Sequence, residues 1–216
     1  MRRITSALLI SALLVGTLAA PAAAGQTTYN SNGSAVIAQG SWDAYDESTG
    51  TFSYGGATAW QEQGKPAFIE VFTSSAIEVI CDNGTPGDPA DDYPGAQGSG
   101  VYGYGSASLS VGRSYGSALA SAVIDVDSFT FDDCTWSWTS DLLEDVPVSL
   151  SLTGDGDLIM ERSSGSFKIP SQINAHGSFR ATYRSASGSA TIDGTSYGID
   201  YGAIGKVAWS EHFNEN

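Results

Sequence analysis

Residues 101–111 read Val-Tyr-Gly-Tyr-Gly-Ser-Ala-Ser-Leu-Ser-Val, and their strict alternation constrains the fold more than any other feature. Val101, Ala107, Leu109 and Val111 fall on one face, with Gly103 and Gly105 between them; Tyr102, Tyr104, Ser106, Ser108 and Ser110 fall on the other. A two-residue period belongs to a strand with one face buried and one face wet, because successive side chains point to opposite sides. The pattern recurs. Residues 118–126 alternate, Val146, Val148, Leu150 and Leu152 point one way, and Phe179, Ala181 and Tyr183 oppose Arg180, Thr182 and Arg184. Two further runs, 67–72 and 76–81, are rich in Ile, Val and Phe and read as strands. Asp193-Gly194, inside 190–200, is a strong hairpin signal. No stretch beyond residue 24 carries a 3.6-residue apolar stripe. The expectation is an all-β chain: a single antiparallel β-sandwich or barrel.

The first 24 residues are set apart. Arg2 and Arg3 form a positive start, residues 7–15 an apolar core and Ala22-Ala23-Ala24 a small-residue cleavage site. This is a signal peptide, residues 1–24, followed by one β-domain over residues 25–216. The apolar run is short for a membrane-spanning helix of about 20 residues. The processed chain is therefore expected to be secreted, with no stable membrane anchor.

Charge narrows the partners. The chain carries 9 basic and 24 acidic residues, a net of −15. Nucleic acid is excluded as an expected partner, since binding a polyphosphate depends on clustered Lys and Arg. Residues 25–161 hold most of the acids, with only Lys65 and Arg113 to balance them, whereas residues 162–216 are near neutral. The simple reading is a solubilising acidic surface; the alternative is a field that steers cations or basic ligands.

Cys81 and Cys134 are the sole cysteines. Export places them in an oxidising compartment, and an even pair without a CxxC spacing predicts one structural disulfide. That bond would gather Asp82, Asp132 and Asp133. The expected state is a solvated acidic turn without a cofactor, and a weak Ca²⁺ site is the alternative because clustered carboxylates suit that cation.

The run Cys81-Asp82-Asn83-Gly84-Thr85-Pro86 with Asp91-Asp92-Tyr93, and later Glu161-Arg162-Ser163-Ser164 with Ile169-Pro170, resembles exported bacterial β-rich proteins of unknown function. The resemblance spans residues 81–185. It implies export and brings no activity or site residue with it.

Motifs for catalysis are weak. Gly112-Arg-Ser114-Tyr-Gly116 and Gly194-Thr-Ser196-Tyr-Gly198 match the nucleophile elbow, but neither serine is followed by a helix. His176 and His212 stand apart from further His or Cys ligands. A carboxylate pair for glycoside hydrolysis has no locating signal; Asp125/Asp127 read as strand-edge acids and Asp155/Asp157 as turn acids. Aromatics are more informative. Trp136 and Trp138, on the face of Cys134, are expected in the core beside the disulfide, and Tyr102 and Tyr104 are a candidate ligand-binding face. The favoured function is a non-enzymatic surface or binding module for a glycan or envelope polymer. A small secreted hydrolase using a carboxylate pair is the alternative; the oligomeric state is left open.

Overall fold

The computed structural model describes residues 27–82, 92–169 and 173–215. The signal-peptide reading lies outside the described residues. Eight strands follow in order: β1 (Thr27–Asp46), β2 (Thr51–Glu62), β3 (Ala67–Cys81), β4 (Tyr93–Val111), β5 (Ser117–Asp132), β6 (Ser137–Ile169), β7 (Ile173–Ile192) and β8 (Thr195–Glu215). Each pairs antiparallel with its neighbour in sequence, and β8 closes back on β1. Of the two architectures expected, the fold is the barrel.

Small inward residues make that closure feasible. One rung runs Ile204–Ala38–Ala59–Ile69–Gly105 across β8, β1, β2, β3 and β4. Large side chains thus face small ones, and a Cβ on Gly105 would collide with Ile124. Ile69, Leu150, Leu152 and Ile204 are fully buried at the centre. An eight-strand barrel is just wide enough for side chains to fill it, and this one is filled. Ser106, Ser108, Ser110 and Ser121 sit on the outer face, so apolar residues point inward and hydroxyls outward. Among the described residues no helix is long and apolar enough to cross a membrane.

The predicted runs 67–72 and 76–81 are one strand. Thr73-Ser74-Ser75 keep it extended, and Ser53 Oγ donates to Ser75 Oγ across β2 and β3. Asp193 and Gly194 turn with φ of 48° and 77°, the doubly left-handed pair of a type I′ hairpin. Asp155 and Asp157 depart from expectation: they lie inside β6 at a bulge between Asp155 and Leu158, where Gly156 takes φ 67°, and not in a turn.

The strands are strongly staggered, which gives each end of the barrel a projecting lip. β6 is 33 residues long. Its first residues, 137–147, pair with β5 alone, and its last, 158–169, pair with β7 alone. One lip, on β2 to β6, carries the disulfide. The opposite lip is built from the ends of β6, β7, β8 and β1.

Candidate functional site

Cys81 and Cys134 are bonded, with their Cα atoms 4.9 Å apart. Gly95 lies beneath the bridge, where a Cβ would come within 2.6 Å of the Cys81 sulfur. The acidic residues here are held by donors. Asp132 Oδ1 accepts from the backbone N–H of Cys134 and Thr135, and its Oδ2 accepts from Gln97 Nε2. Asp133 Oδ2 accepts from the Ala96 N–H. Asp82 also has a partner. Among the described residues no group of three or more His, Cys, Asp or Glu side chains is placed to hold a metal ion. Burial works against charge on Asp132, but the hydrogen bonds from Thr135, Gln97 and Cys134 outweigh it, and its pKa is lowered. A depressed folded-state pKa contributes stability above the unfolded value of about 4 and loses it as pH falls through the folded value. Wild-type stability should therefore decline below about pH 4, and Asp132→Asn should flatten that decline. Denaturant midpoints measured at pH 3 and pH 6 for both proteins check this.

The tryptophans do not sit in the core, contrary to expectation. Trp136 is 83% exposed and Trp138 64%. Hydrogen bonds to Asp132 end β5 in a tight turn, Trp136 takes φ 54°, and strand geometry resumes only at Ser137. Counting faces from Cys134 fails across that turn.

Trp138 instead ends a row of rings on the outer wall. Phe52 and Tyr54 of β2 contact each other at 5.6 Å between centroids, and Tyr54 meets Phe72 of β3 at 5.5 Å. Phe72 meets Phe129 of β5 at 6.4 Å. Phe129 stacks on Trp138 of β6 at 4.8 Å and 10°, and Phe131 packs beside both. The row crosses β4 without a ring because Gly98 and Gly100 form its floor there. A Cβ on Gly100 would approach the Thr73 carbonyl oxygen at 2.2 Å and Phe129 at 2.5 Å. The two glycines let Phe129 and Phe131 lie flat across the strand.

Tyr102 and Tyr104 extend the same outward face of β4. They are 38% and 66% exposed, with ring centroids 6.3 Å apart. Desolvation first, then the charge and hydrogen bonding of Glu70, raise the pKa of Tyr102, so its hydroxyl is anchored as a donor. The two tyrosines were legible as an outward face. Phe52, Tyr54, Phe72, Phe129 and Phe131 were not, since only the register brings them together, and Gly98 and Gly100 do not stand out in a strand that also holds Gly95, Gly103 and Gly105.

A separate shallow groove of about 480 Å³ lies where the free edge of β6 meets the β7–β8 turn, lined by Leu142, Leu143, Glu144, Asp145, Val146 and Asp193. Among the described carboxylates, Asp46 and Asp132 have displaced pKa values, both lowered by hydrogen bonds to the charged form. Comparison with known proteins yields no matching family model, curated sequence or solved structure.

Proposed function

We propose that this is an exported, soluble binding module that docks a glycan or envelope polymer on its outer aromatic wall and catalyses no reaction. One observation carries the reading: rings from Phe52 to Trp138 follow one another in a row on the outer wall, with Phe129, 8% exposed, packed between its neighbours and Trp138 open to solvent at the end. Crossing from β2 to β6 at about 4.8 Å per strand spacing, the row is about 19 Å wide, the scale of a short oligosaccharide. Flat apolar rings suit the apolar faces of sugars, and neighbouring Tyr54, Tyr102 and Tyr104 supply polar tips. The disulfide supports export, since such bonds persist in oxidising compartments.

Co-sedimentation with insoluble cellulose, chitin and peptidoglycan is the test. At least one should retain the protein, and Trp138→Ala should weaken that retention about tenfold, the size of a truncated hot spot. Trp136→Ala, outside the row, should change it little. Retention by none of the three polymers, or equal loss in both variants, overturns the wall as the site. The hydrolase alternative draws on Glu144, Asp145 and Asp193 in the groove; release of soluble sugars abolished by Glu144→Gln would favour it instead.

A further inference from the structure

The near-neutral C-terminal quarter of the chain hides a charge separation that only the barrel reveals. On the lip built from β6, β7, β8 and β1, even-numbered residues lie on the face continuous with the barrel interior, as the buried Ile204 and Ala38 fix. By that register Arg162 and Lys168 of β6, Arg180 and Arg184 of β7 and Lys206 of β8 all share the inner face. These are all the Lys and Arg residues from 162 to 216. Asp155, Glu161 and Glu211 lie on the opposite, outer face, and Asp157 sits in the bulge at the base.

Arg162 and Arg180 are direct cross-strand partners, so their Cα atoms stand about 5 Å apart. Like charges placed opposite each other are unfavourable. Nothing relieves them internally: among the described residues the one ion pair is Lys65–Glu62, at the β2–β3 turn. At the root of the lip Arg184 Nη1 donates to the Gly156 carbonyl, but its Nε is buried and makes no hydrogen bond. Around the cations the same face carries Thr182 opposite Lys206, Ser178 opposite Ser210, His176 opposite His212 and Asn30 bonded to His212, together with the exposed side chains of Leu158 and Met160.

We infer that the inner face of this lip is a binding site for an extended polyanionic glycan, one carrying carboxylate or phosphate groups along its length. Guanidinium groups offer planar, bidentate recognition of both oxyanions. A row of cations spread over successive strands suits a repeating charge better than a single ion. A counter-anion would also remove the repulsion that the empty lip carries. A single-stranded nucleic acid is disfavoured because the described inner-face positions of the lip hold no Phe, Tyr or Trp on which bases could stack.

The test uses the full processed protein with two probes, polygalacturonate and linear polyphosphate, titrated at 50 and 200 mM NaCl. Binding to at least one is expected, weakening severalfold at the higher salt. The double variant R162Q/R180Q should lose about tenfold in affinity while its melting temperature holds or rises, because a like-charge pair has been removed. Lys65→Gln should bind as wild type does. Polygalacturonate alone would identify carboxylate, and polyphosphate alone phosphate; both results support the site. Failure to bind either probe, affinity unaffected by R162Q/R180Q, or tighter binding of single-stranded DNA than of either probe would overturn it. Trp138→Ala should leave this binding intact, so the lip and the aromatic wall fail or stand separately.

Discussion

Cys134→Ser should lower the unfolding free energy by roughly 2–5 kcal/mol, the usual consequence of removing a native disulfide. The bridge closes a separation of 53 residues, for which the loss of chain entropy in the unfolded state gives about 4 kcal/mol. In a domain of this size that corresponds to a fall in melting temperature of roughly 5–15 °C. The geometry says why little of the loss should be recovered elsewhere. Cys81 is 1% exposed at the end of β3, packed over Gly95, so a lone thiol would stay buried while its partner turn came free. That turn continues the barrel ladder, since the Asp133 N–H donates to the Ala96 carbonyl. Loosening it should also disturb Trp138, two residues beyond, and with it one end of the aromatic row. Thermal melts of wild type with and without reductant, beside the serine variant, provide the measurement. Reduction that leaves the melting temperature unchanged would remove the bridge from the list of stabilising features.

Local periodicity carried most of the fold into view. The alternation of residues 101–111 fixed which face of β4 would be buried, and Val101, Ala107, Leu109 and Val111 do pack against the core. Asp193-Gly194 marked its hairpin because only residues tolerant of positive φ can make that turn. Closure was not legible: it depends on β1 meeting β8, a pairing such as Ala38 with Ile204 that no local pattern encodes. The site suffered for the same reason. Gly98 and Gly100 look like flexible spacers in sequence, yet they are the floor on which Phe129 and Phe131 rest. The cationic lip was masked by averaging, because Asp193, Asp200, Glu211 and Glu215 offset the five cations of residues 162–216 in a linear count, although Glu211 lies on the opposite face of the lip.

Leu150→Ala should cost about 2–5 kcal/mol, as large-to-small changes in a packed core do. Leu150 is 1% exposed and lies between Ala120 of β5 and Ala190 of β7, so the neighbours that would have to close the void are already small. Alanines cannot lean inward, and the closed ladder on both sides resists collapse, which argues for the upper part of the range. Val123→Ala, on the outer face and 62% exposed, should stay within about 0.5 kcal/mol. The contrast decides more than stability. Some eight-stranded barrels hold a small ligand in the lumen, and others fill it with side chains. If urea midpoints show Leu150→Ala losing less than about 1 kcal/mol, the lumen is loosely packed and a cavity for a small apolar ligand becomes the better reading. A large loss means that the centre is occupied by the protein's own Ile69, Leu150, Leu152 and Ile204. Recognition then has only the outside of the barrel to use: the aromatic wall across β2 to β6, and the charged inner face of the lip where the strands run past their partners.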